Sequence, residues 1–102
     1  MEKEEVRIQR VLADGIKLFE SLGFVDTLVN DKVNYIYNNE FHMFTYDKGM
    51  RMFFLEVAVT LEEAKINYYE DISNYPISLS DEEILLYLKQ DIVKYIIEQV
   101  DN

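Results

Sequence analysis

His42 is the only histidine in the chain, and it stands between Phe41 and Met43 on a stretch that reads as a strand. General acid–base chemistry needs a second group to orient the imidazole, and zinc needs further ligands; no His-x-x-x-His or His-x-Glu pattern is present. The absence of cysteine removes a disulfide framework, a thiol nucleophile and a thiolate metal site. None of the four serines sits in a Gly-x-Ser-x-Gly elbow, and three glycines cannot build a phosphate-cradling loop or dinucleotide fingerprint. No acidic run follows the alternating, glycine-containing pattern of a calcium loop. Carboxylates are what the chain has in plenty. Two acids across a cleft can hydrolyse a glycoside, yet 102 residues leave little material for a cleft once a core is built. These residues predict a protein that is not an enzyme, with no metal and no cofactor.

The carboxylates then become binding groups. Twenty acids against ten bases give a net charge of −10. Affinity for nucleic acid comes mainly from Lys and Arg displacing counterions, so direct nucleic-acid binding is disfavoured, as is an anionic lipid surface. A basic protein partner would instead be steered towards the chain. The acid is concentrated. Residues 60 to 83 carry Glu62, Glu63, Glu70, Asp71, Asp81, Glu82 and Glu83 against the single base Lys65. Five of these seven fall in the first turns of two expected helices, where the positive end of the helix dipole favours them. Tyr68-Tyr69-Glu70-Asp71 and the stretch to Pro76 have no such explanation. Tyr is favoured at interfaces because it buries area and keeps a polar tip. The predicted partner-binding face is Tyr68, Tyr69, Glu70, Asp71 and Tyr75, with Asp81, Glu82 and Glu83.

The elements that must position these groups follow from periodicity. Residues 4 to 22 predict an amphipathic helix, with Ile8, Leu12, Gly15, Phe19 and Leu22 on one stripe and Val11, Ile16 and Leu18 widening it. Gly23 suits the left-handed position that ends a helix, and Phe24 can fold back on the last turn. From residue 24 the period becomes alternating. Residues 24–29, 33–38, 41–46 and 50–59 predict four strands. Asn30-Asp31, Asn38-Asn39 and Asp47-Lys48-Gly49 break them, the last as a hairpin ending in a left-handed glycine. Thr60-Leu61-Glu62-Glu63 is a capping box opening a helix expected to run to about residues 69–72, followed by a loop over Ser73-Asn74-Tyr75-Pro76. Ser80-Asp81-Glu82-Glu83 opens a final helix through about Val100. The expectation is one α+β domain over residues 1–102: an N-terminal helix, a four-stranded antiparallel meander, and two C-terminal helices packed on the sheet.

Two segments are more apolar than folding requires. On the last strand Phe53, Leu55, Val57 and Val59 take one face. Met50, Met52, Phe54 and Ala58 take the other, broken only by Glu56, so a helix, a second copy or a partner should cover that face. The final helix has a core stripe of Ile84, Leu85, Leu88, Ile92, Tyr95 and Ile96. Leu86, Val93, Ile97 and Val100 form a second stripe, a candidate homodimer surface. The charged start Met1-Glu2-Lys3-Glu4-Glu5 lacks the apolar core of a secretion signal, and no apolar run nears the roughly 20 residues that span a bilayer. A cytoplasmic protein without membrane contact is expected.

Taken together, the run Phe53-Phe54-Leu55-Glu56-Val57 through Tyr68-Tyr69-Glu70-Asp71 and Ser80-Asp81-Glu82-Glu83, in an acidic cysteine-free chain of this size, resembles the immunity proteins of bacterial polymorphic-toxin systems. That resemblance implies a cytoplasmic antitoxin that binds one cognate toxin domain and neutralises it. Acidic phage proteins that mimic nucleic acid to inhibit a nuclease share the same charge, and a homodimeric adaptor or scaffold would explain the doubly apolar last helix.

Overall fold

The first helix, α1 (Glu4–Ser21), forms where the three- and four-residue spacing predicts it, with Glu4 and Glu5 in its first turn. Its end is specified by Gly23, whose φ of +92° costs no Cβ clash. The Gly23 amide donates to the Glu20 carbonyl and the Phe24 amide to that of Phe19, the paired bonds of a Schellman motif. The hydrophobic contact that accompanies such a motif is present too, with the Phe19 and Phe24 rings 5.0 Å apart.

The structure, a computed structural model, describes residues 2–99. After α1 come β1 (Val25–Val29), β2 (Lys32–Tyr37), β3 (Glu40–Asp47), β4 (Met52–Ala58), α2 (Leu61–Lys65), β5 (Glu70–Pro76) and α3 (Asp81–Ile92), which passes into a π-turn over Val93–Ile97. The strands form one antiparallel sheet in the order β1-β2-β3-β4-β5. Asn30 and Asp31 join the first pair and Asn38 and Asn39 the second, all four with positive φ, as two-residue hairpin turns demand. The third hairpin differs from expectation. Arg51, at φ +55°, takes the left-handed position rather than Gly49. The Asp47 carboxylate accepts from the Met50 amide and the Asp47 carbonyl from that of Arg51, so the turn closes two residues later.

The sheet has five strands rather than four. The segment expected as helix end and loop is β5. Helix α2 stops after five residues because Asn67 turns left-handed at φ +59°. The Asn67 amide then bonds the Ala64 carbonyl and the Tyr68 amide that of Glu63, a second Schellman ending with asparagine in the glycine role. Released from the helix, residues 70–76 pair with β4, with a bulge between the Leu55–Ser73 and Glu56–Asp71 pairs.

Helices α1 and α3 cover one face of the sheet. The core beneath them is built from Val11, Phe19, Phe24, Tyr35, Phe44, Phe53, Leu55, Tyr75, Ile84, Leu88, Ile92 and Ile96. Gly15 lets α1 approach closely: a Cβ there would stand 2.4 Å from the Phe44 ring. The Ser80 capping box fixes the start of α3. Beyond Ile92 the wider π-turn rotates Tyr95 off the core stripe and leaves it exposed, while Ile96 stays buried. The expected continuous helix therefore ends its α geometry early, and Val100 lies outside the described residues. Helix α2 packs on the opposite face from α1 and α3, where Ala64 meets Val29, Phe41 and Ala58. No helix among the described residues is long and apolar enough to cross a membrane.

Candidate functional site

Helix α2 covers only one corner of its face. On the rest of it Met43 pairs with Glu56 and Thr45 with Phe54 across β3 and β4, four side chains that form the floor of an open cup of about 440 Å³. The phenylalanine and methionine are nearly buried. Lys32, Asn67, Tyr69 and Asp71 make one side, and Tyr46, Asp47 and Met50 the other, at the β3–β4 turn.

The cup exists because the sheet comes apart locally. Strand β2 pairs with β3 only over Tyr35–His42, Ile36–Phe41 and Tyr37–Glu40, while β3 continues against β4 as far as Asp47 and Met52. The first half of β2 peels away from β3, and it and the turn before it are tied to the end of α2 and the segment that follows. The Asn30 amide donates to the Lys65 carbonyl (2.5 Å), the Lys32 ammonium to Asn67 Oδ1 (3.2 Å), and the Tyr69 hydroxyl to Asn34 Oδ1 (2.6 Å). Each pair is separated by 35 residues. They are the rungs of a side-chain ladder between two stretches running in the same direction. Asn34 is fully buried and spends its amide on the Lys32 carbonyl at 3.2 Å, so both ends of the side chain are satisfied.

Glu56 is the charged group of the floor. Burial raises its carboxyl pKa, the Thr45 hydroxyl (2.8 Å) opposes the shift, and facing Asp71 adds to it. The Tyr69 phenol is also held above its ordinary range, by burial first. Four ion pairs occur among the described residues: Arg7 with Asp81, Arg10 with Glu2 and Asp81, and Arg51 with Glu4. None of them includes Asp47, Glu56 or Asp71.

The eight residues expected to form one face divide into three places. Tyr69 and Asp71 enter the cup; Tyr68 and Glu70 are exposed beside it, the tyrosine hydroxyl 3.3 Å from Glu70 Oε1. Tyr75 is internal, 2% exposed, and donates to Asp91 at 2.7 Å. Its position on the helix-covered side follows from alternation with Asn74 and Pro76. Asp81 is occupied by two arginines, Glu83 closes the capping box, and Glu82 is exposed at the start of α3. The seven residues of β5 separate this last group from Glu70, a strand length of roughly 20 Å. Lys32, Asn34, Met43, Thr45, Phe54, Glu56 and Asn67 were not anticipated as site residues. The available signal was Glu56, the lone charge on an otherwise apolar strand face.

His42 lies on the helix-covered side and is fully buried. Its Nδ1 donates to the Tyr35 carbonyl at 3.0 Å, while Nε2 has no partner. Burial lowers its pKa to about 4, so the neutral ring is a packing element edge-on to Phe24. Among the described residues no three His, Asp or Glu side chains gather where they could hold a metal ion. Of the expected dimer stripe, Leu86 is exposed and Val93 and Ile97 are half-buried. No protein family model, no curated protein and no solved structure matches the chain.

Proposed function

We propose that this chain is an inhibitor of the immunity type, a one-to-one binder that neutralises a basic toxin domain by docking it over the cup and the Tyr68–Asp71 rim. The supporting observation is the cup itself. It combines a nearly dry Met43–Phe54 floor, a tyrosine wall and carboxylates that have no ion-pair partner among the described residues, on the sheet face that α1 and α3 leave free. Apolar and aromatic surface inside a polar rim is the anatomy of a protein interface, and a net charge of −10 steers a basic protein towards it.

Gene neighbourhood supplies the partner to test, a toxic C-terminal domain encoded alongside this chain. Co-expression should cancel its toxicity. Glu70→Lys with Asp71→Lys, both exposed, should abolish that protection. The same charge change at exposed Glu82 and Glu98 should leave it intact. Protection that survives the first pair, or fails equally with the second, overturns the reading.

A further inference from the structure

Resting on that reading, we propose that the cup is a receptor for one arginine side chain of the basic partner, its guanidinium held between Glu56 and Asp71. Size is the first argument. About 440 Å³ open to solvent is at the small end of ligand sites, which span roughly 300–1,000 Å³, and admits a long side chain rather than a helix. Charge is the second. Asp47, Glu56 and Asp71 border the space against the one base Lys32, whose ammonium, held by Asn67, offsets part of the charge on Glu56 and leaves the cup acidic. Glu56 and Asp71 are cross-strand neighbours, and like charges so placed repel until a cation separates them. Thr45 satisfies Glu56 Oε1, which sets the carboxylate without neutralising it.

The floor and walls select among cations. Met43, Phe54 and Tyr69 are apolar or aromatic, so an ammonium would give up strong hydration to enter. A guanidinium is more weakly hydrated, stacks on rings and offers a fork to two carboxylates. A second copy of this chain is the poorer occupant, because each copy carries −10.

The test uses the full chain, isotope-labelled, and three capped peptides at low salt: Gly-Arg-Gly, its lysine counterpart and its neutral citrulline counterpart. The arginine peptide should shift the NMR signals of the Met43 methyl, Thr45, Phe54 and Tyr69. The citrulline peptide should leave them unmoved, and the lysine peptide should bind several-fold more weakly. Glu56→Gln should weaken the arginine peptide at least about tenfold, as expected when a charge-assisted hydrogen bond is lost. Exposed Asp71→Asn, which alters no packing, should weaken it as well. Equal binding of the lysine or citrulline peptide, shifts located elsewhere, no shifts at millimolar peptide, or affinity retained in both variants overturns the receptor. An arginine-indifferent cup together with protection lost in the Glu70→Lys, Asp71→Lys chain removes this inference alone. Arginine binding together with protection retained removes the proposed function alone.

Discussion

Taking the protein from pH 7 to pH 5 should remove about 2 kcal/mol of stability through His42 alone. The ring is fully buried, with Nδ1 spent on the Tyr35 carbonyl and Nε2 facing no acceptor. A second proton would place an unpaired charge in the core, and burial accordingly lowers the pKa from the ordinary 6.5 to about 4. The folded value is the depressed one. At pH 5 the unfolded chain therefore binds a proton that the folded chain refuses, and stability falls with pH below about 6.5. With those two values the linkage relation gives a penalty near zero at pH 7 and about 2 kcal/mol at pH 5. Glu56, whose carboxyl is held upward, works in the opposite direction as it protonates. A non-titrating reference is therefore needed. His42→Asn keeps an amide donor near the Nδ1 position and leaves a small cavity at every pH. Urea unfolding followed by circular dichroism would compare the two proteins. The stability advantage of the native chain over the variant should shrink by about 2 kcal/mol between pH 7 and pH 5, a midpoint change on the order of 1 M urea. Because His42 is the sole histidine, its imidazole proton signals are assigned without ambiguity and should not titrate between pH 8 and pH 5. A midpoint near 6.5, or parallel pH profiles for the two proteins, would refute the argument.

Gly15→Ala should destabilise the fold by about 1–3 kcal/mol by thermal unfolding, because overpacking against Phe44 outweighs the gain in helix propensity. A stabilised variant would mean the ring moves aside freely. Tyr69→Phe should cost about 1–3 kcal/mol, since buried Asn34 Oδ1 loses its donor, and hydrogen exchange should quicken in the first half of β2. Glu56→Gln should raise stability at pH 7 and lose that advantage as the pH falls and the native carboxyl protonates; denaturation at pH 7 and pH 4.5 would check the sign. A substitution that strengthens the fold while weakening partner binding would mark Glu56 as a group kept for recognition.

Much of the scaffold could be read from short-range pattern. The glycine ending of α1, the Asn-Asp and Asn-Asn turns and the Ser80 capping box are each specified within a few residues, and each occurs where expected. Strand β5 escaped because its cue is subtle. Asn67 ends α2 as glycine would, and the strand that follows carries Glu70, Asp71, Ser73 and Asn74, a composition that suits loops. The same strand spreads the residues of the expected face over three places. Once residues 70–76 are extended, Tyr75 points into the core and the α3 carboxylates lie at the far end of the strand. The cup was beyond reach for a different reason. Its walls come from β2, β3, β4, the start of β5 and the stretch around Asn67 and Tyr69, and no local spacing rule brings Asn34 to Tyr69.

The 35-residue ladder has a consequence for how recognition could change. Main-chain pairing is indifferent to side-chain identity, whereas each of these three rungs needs at least one particular side chain. Exchanging Lys32 with Asn67, or Asn34 together with Tyr69, would widen, narrow or recharge the mouth while the helices α1 and α3 keep their packing. The molecule thus keeps an adjustable aperture mounted on a fixed frame, with exposed Lys32 and Asn67 the freest to vary and buried Asn34 with Tyr69 changeable only as a matched pair.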